Sequence, residues 1–251
     1  MKSYYYLIVI VLVSFTISLN RLDTFTLNEM SLFLTVIGLI YGLIAAFSIN
    51  NSWDRFSKIR DAVSKEISSL LLLFKYSNYI SDKKSRLALK KTLLEYCNEV
   101  PRVEWHDYWK SEDTHRKFRK IQDIVIGMKL KGEKDSVIFD QMTDELTNAT
   151  NARDQQLILA QTKISKIQWV LNIFLSAVLV IGLLLLDISN FILSMFISTS
   201  MIAAVLMILV VIYEMNSMKV SEEEISIDPY IMMIKTIDPS SKITSKDILG
   251  K

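Results

Sequence analysis

The sequence predicts an all-α integral membrane protein, with four transmembrane helices in two hairpins and a helical cytoplasmic insert between spans 2 and 3. Three observations carry this. Two pairs of apolar runs, Tyr4–Leu19 with Met30–Phe47 and Trp169–Leu186 with Phe191–Tyr213, bracket the chain. Each run approaches the roughly 20 apolar residues that a helix needs to cross the hydrocarbon core. Backbone polar groups in lipid have to be satisfied within the segment, so runs this poor in charge are expected to be helices. Between the pairs lies a charged segment whose apolar residues recur at three- and four-residue steps. With 6 Gly and 3 Pro in 251 residues, little material remains for turn-rich β architecture.

The first run follows Lys2, as in a signal peptide. Ser14–Leu19 offers no small-x-small cleavage site, however, and a second span follows, so the run is expected to be retained as a helix. Tyr4, Tyr5 and Tyr6 fit an aromatic belt at headgroup level. Beyond the second span, Trp53, Phe56, Ile59, Val63, Ile67, Leu70 and Phe74 continue a helical stripe, predicting one long helix to about Tyr79. Ser81-Asp82 supplies an N-cap for a helix over Lys83–Val100, which Pro101 ends. A short aromatic segment, Val103–Trp109, precedes a helix over Glu112–Leu130, broken by Gly132. From Lys134 to Lys166 a stripe through Met142, Leu146, Ala149 and Ala160 is expected to run directly into the third span. The organisation is therefore a first hairpin at 1–47, an insert at 48–166, a second hairpin at 167–213 and a tail at 214–251. The run Glu222-Glu223-Glu224 is expected to be solvated.

Basic residues set the orientation. Arg55, Lys58, Arg60 and Lys65 follow the second span, and Arg153, Lys163 and Lys166 precede the third. The first link carries only Arg21 and the second link, Asp187–Asn190, carries none. This asymmetry puts the insert and both termini in the cytoplasm of a cell (inner) membrane protein. The Asn148-Ala149-Thr150 sequon is then on the wrong side for glycosylation.

Within the second span Gly38, Gly42, Ala45 and Ala46 lie on neighbouring faces. Small residues let helix backbones approach closely in lipid. The face serves either packing inside one protomer or a pore- or subunit-facing surface. Trp53 is placed as an interfacial anchor. Arg60 falls angularly among Phe56, Val63 and Ile67, inside the apolar stripe, with Arg55 and Glu66 at its edge. A buried arginine needs a carboxylate or backbone acceptor, and Glu66 of a neighbouring helix, Asp154 or Glu145 is a candidate. The alternative is a cationic ring at a pore mouth, selecting anions by its field.

Catalytic signals are missing, and an enzyme is not expected. His106 and His115 lack zinc-ligand spacing, and no phosphate loop or nucleophile elbow is present. No metal or cofactor is called for. The single cysteine, Cys97, reads as a small apolar residue within a helix. A net charge of +2 without a basic patch gives no nucleic-acid signature. No charged residue lies inside a span, which argues against a proton- or sodium-coupled transporter but not against a channel.

Gly42-Leu43-x-x-Ala46-Phe47, Trp53-x-Arg55-Phe56, Ala62 and Glu66 resemble the first half of a bacterial family of bestrophin-like membrane proteins. Tyr96 followed by Glu104-Trp105, and Arg153 with Trp169, resemble its later pattern. The resemblance implies a four-span, mainly helical protein in the lipid bilayer. It further implies a homo-oligomeric channel for small anions of the kind bestrophins form, with the second span lining the pore. The alternative is a non-conducting sensor or scaffold whose helical bundle docks a partner protein through Trp105, Tyr108 and Trp109.

Overall fold

The computed structural model describes residues 27–100, 111–184, 191–217 and 228–240. Every regular element among them is a helix: α1 Leu27–Ser77, α2 Lys83–Glu99, α3 Glu112–Ile126, α4 Glu133–Gln161, α5 Lys166–Leu184, α6 Phe191–Ser217 and α7 Asp228–Ile237. The first apolar run, the aromatic segment Val103–Trp109, the second link and the Glu222–Glu224 run lie outside the described residues. Three described stretches are long and apolar enough to cross a membrane, one within Met30–Ser77, one within Glu133–Leu184 and one at Met195–Ser217. The predicted long second helix is present: α1 is one uninterrupted helix of 51 residues, about 77 Å at the α-helical rise.

The chain divides into two compact units. Unit 1 comprises residues 1–48 and 165–211, and unit 2 comprises residues 49–164 and 212–251. In unit 1 the face of α1 that carries Gly38, Tyr41, Ala45 and Ser48 packs on α5, whose buried residues are Asn172, Leu175, Ser176, Leu179, Gly182 and Leu183. A Cβ added at Gly38 would meet Leu179 at an ordinary 3.8 Å, whereas one at Gly182 would come within 2.5 Å of a Leu34 methyl. A side chain at Gly182 would therefore require the Leu34 side chain to shift. The Tyr41 hydroxyl donates to the Val205 carbonyl of α6 at 3.2 Å. The remaining apolar surface, including Leu39, Leu43, Val170 and Met207, is exposed. Water would not tolerate so large a patch, and lipid would.

Unit 2 has the opposite character, a dry core inside a charged surface. Ile59, Leu70 and Leu73 of α1, Leu89, Leu93 and Tyr96 of α2, Ile121 and Val125 of α3, Met142 and Ala149 of α4, and Tyr230, Met233 and Ile234 of α7 are fully or almost fully buried. Residues 228–237, assigned from sequence to the tail, form α7 and pack against α2. Asp82 caps α2 as predicted, accepting from the Ser85 amide at 3.2 Å. Leu87 of α2 is exposed.

Two helix ends differ from the sequence expectation. The third helix stops at Ile126 rather than Leu130. The ladder breaks first at Met128, whose amide turns to the Val125 carbonyl at 3.2 Å, and the next amide, of Lys129, donates to the Asp82 carboxylate at 3.2 Å. The expected continuous run into the third span is interrupted at residues 162–165. There the Thr162 carbonyl accepts from Arg55 and the Ile164 amide donates to the Asn216 side chain at 2.8 Å. Tertiary partners replace the helical ladder at Thr162 and Ile164, whereas α3 ends in a local turn that Asp82 then holds. Gly132, with φ at +86°, then opens α4, a conformation that L side chains rarely adopt.

Candidate functional site

Unit 2 holds its ionisable groups along a 3–4 repeat of α1. Ser52, Arg55, Ile59, Ala62, Glu66, Ser69 and Leu73 are all buried. Arg60 lies one residue, or about 100°, from Ile59, and it is exposed. The sequence expectation is thereby inverted: Arg55 and Glu66 occupy the buried stripe and Arg60 does not. Asp154, offered as a partner for a buried Arg60, is likewise exposed.

Glu66 is wholly buried, and its carboxylate is met from two other helices. The Tyr96 hydroxyl of α2 donates to one oxygen and the Gln156 amide of α4 donates to the other at 2.6 Å. Arg153 of α4, 3% exposed, lies 3.9 Å from the same carboxylate. It donates to the Tyr96 hydroxyl and, at 3.3 Å, to Thr114 Oγ1 of α3, and it lies 3.4 Å from His115 Nδ1. Its guanidinium also sits over the Phe118 ring, 4.9 Å from the centroid. One carboxylate and one guanidinium therefore tie four helices together through Tyr96. Sequence reasoning singled out Glu66 and Arg153 but missed Tyr96, Gln156, Thr114 and His115 as their partners. The available signal was two polar residues, Arg153 and Gln156, at consecutive stripe positions between Ala149 and Ala160 on α4.

Each oxygen of the Glu66 carboxylate accepts from a protein donor, Tyr96 or Gln156. Cys97 beside it is buried, and burial followed by the nearby Glu66 charge pushes its thiol up, away from a reactive thiolate. Among the described residues no group of three or more His, Cys, Asp or Glu is placed to hold a metal. Two open grooves exist in unit 2. One, of about 430 Å³, runs between α1 and α7 and is lined by Arg60, Asp61, Ser64, Ile67, Asp228 and Met232. The other, of about 390 Å³, lies between α3 and α4 and is lined by Gln122, Asp123, Thr143 and Thr147.

Arg55, 7% exposed, points its guanidinium at backbone oxygens of Thr162, Met215 and Asn216. Trp53 is half exposed and stacks on Phe56 with centroids 6.0 Å apart. Trp169 is half-buried in α5. In unit 1 the four small residues of α1 separate onto two faces. Ala45 is buried and Gly38 half-buried against α5, whereas Gly42 and Ala46 are exposed and a Cβ at Gly42 would meet nothing within 4 Å. On the packed face Ser48 Oγ accepts from Asn172 at 2.8 Å and from Gln168 at 3.0 Å, a polar tie between apolar helices.

An all-helical protein with lipid-type surfaces on one unit and a polar helical bundle as the other is a multi-pass membrane protein. It belongs to the bestrophin-like family: the family described as Bestrophin-like domain matches residues 5–217. The crystal structure of a membrane protein variant shares the fold, with a TM-score of 0.61 at 12% identity, over 87% of each chain. No curated protein sequence matches the chain.

Proposed function

We propose that this protein is a homo-oligomeric channel for small anions, spanning the cell (inner) membrane four times as two hairpins. Unit 2 and both termini are then cytoplasmic, in keeping with the excess of lysine and arginine beside the inner spans. No catalytic activity is proposed. The observation that carries the reading is the exposed α1 face at Gly42 and Ala46, small residues with open space before them in a single chain. Lipid alone gives no reason for glycine on an exposed helix face, whereas close approach of a second copy or a narrow pore does. Family membership supports the same reading, although fold by itself does not fix function.

The anion preference rests on exposed cations near α1. Arg55 is occupied by carbonyls, which leaves Arg60 as the candidate from the sequence. Arg60 shares its groove with Asp61 and Asp228, so the local field is mixed, and selectivity is expected to be modest. Planar-bilayer recording of purified protein tests the proposal. Anion-selective current is expected, and Gly42→Leu, whose Cβ meets nothing within 4 Å among the described residues, is expected to cut it at least tenfold without lowering thermal stability. Absence of current together with a monomeric mass would favour the sensor or scaffold reading instead.

A further inference from the structure

We propose that Arg55 and Asn216 act as a single latch joining the 162–165 break to the last turn of α6. The inference concerns unit 2 alone and does not depend on ion conduction. The chain passes between the units at 48/49, 164/165 and 211/212. A few residues inside unit 2 from each passage stands one part of the latch: Arg55 in α1, Thr162 and Ile164 after α4, and Met215 and Asn216 at the end of α6.

The chemistry is that of helix C-termini. The last carbonyls of a helix have no partner within it and carry the negative end of the helix dipole. Arg55 Nη1 donates to the Thr162 carbonyl, just past α4, and Nη2 donates to the Met215 and Asn216 carbonyls of α6 at 3.2 and 3.1 Å. Among the described residues no carboxylate pairs with this buried arginine. Burying a cation without a counter-ion is costly, and here the carbonyls of two helix ends offset it. A planar guanidinium fork spans acceptors on separate segments, which a lysine ammonium on a single flexible stem does not.

Asn216 closes the ring. Its carbonyl accepts from Arg55 while its side-chain oxygen accepts from the Ile164 amide at 2.8 Å. Arg55 therefore holds the residue that holds Ile164, and Thr162, two positions earlier, is held by Arg55 directly. Losing either member frees both the break and the end of α6. Any shift of these segments reaches Ser165 or Val211 through only a few residues of chain. The latch thus ties these segments into one element of unit 2.

A simple C-cap predicts only local effects, and hydrogen exchange of the full chain in lipid nanodiscs separates the two. In Arg55→Lys, exchange in the peptide containing the Ile164 amide is expected to rise at least tenfold, although Arg55 does not bond that amide. Asn216→Ala is expected to do the same, and the double variant is expected to exchange no faster than either single one. Peptides over 89–97 and 118–125 are expected to stay unchanged. Unaltered Ile164 exchange in Arg55→Lys, or effects that multiply in the double variant, would overturn the latch. Should Arg55→Lys fail to fold, Asn216→Ala carries the test: it has to loosen residues 212–217 as well as Ile164, and loosening of Ile164 alone refutes the proposal.

Discussion

The two buried arginines of unit 2 satisfy one charge in two different ways. Arg153 has a carboxylate within 3.9 Å and a hydroxyl between them, whereas Arg55 has only carbonyls. Removing one member of a buried ion pair leaves the other uncompensated, which typically costs about 3–5 kcal/mol. Removing a shared neutral hydroxyl leaves unsatisfied bonds worth about 1–3 kcal/mol. Denaturation of the purified protein is therefore expected to rank Arg153→Met as more destabilising than Tyr96→Phe, by these amounts. The reverse order would mean that Tyr96, not the ion pair, organises the cluster. Glu66 and Arg153 were legible in the sequence as charged residues on or near helical stripes. The difference between Arg55 and Arg60 was not. Val63 and Ile67 are buried together with Ile59, Ala62 and Glu66, so the covered face extends past the apolar stripe on the Glu66 side and stops short of Arg60. Stripe centre is a property of the packing partners, and a single amphipathic helix does not contain it.

At the scale of elements, starts were more legible than stops. Asp82 was readable as an N-cap because its acceptors act on amides two and three residues away. It precedes a first turn that carries Lys83 and Lys84 and no acid. Its carboxyl is lowered from 3.8 to about 2, first by the Ser85 hydroxyl, then by the Lys129 and Ser85 amides. A depressed acid stabilises the fold at pH above its ordinary value, and the contribution is lost as pH falls from about 4 towards 2. Asp82→Ala is expected to cost about 1 kcal/mol at neutral pH and nothing further at the acid end of that window. Urea midpoints of the variant and the parent at several pH values check this: the gap between them has to narrow only below about pH 4. The end of α4 was illegible for the complementary reason. Its competing donor and acceptor, Arg55 and Asn216, lie 107 and 52 positions away in the chain. Gly132 was visible as a breaker, but it marks the start of α4, and α3 had already ended in the local turn at Gly127 and Met128.

At the scale of the molecule, the core of unit 2 is completed by the last described helix. α7 follows the final apolar helix, yet it contributes Tyr230, Ile231, Met233, Ile234 and Ile237 to a core otherwise built from residues 59–149. The class of protein was legible because lipid imposes a coarse compositional rule on long runs. α7 escaped because ten residues behind an acidic run carry too few turns to stand out from a tail. Its docking supplies a built-in reporter. Cys97 is fully buried, its sulfur 3.4 Å from Met233 Sδ of α7, and burial holds its thiol far from the thiolate form. Truncation after Ser217 removes Met233 and the rest of the lid over α2, exposing apolar surface that burial had stabilised at about 25 cal/mol per Å². In the full chain Cys97 is expected to resist maleimide at neutral pH. In the truncated chain labelling is expected to accelerate at least a hundredfold, accompanied by a lower thermal midpoint. Met233→Ala, which leaves the helix in place, is expected to give an intermediate rate. Equal labelling of the full and truncated chains would mean that α7 does not close the core in solution.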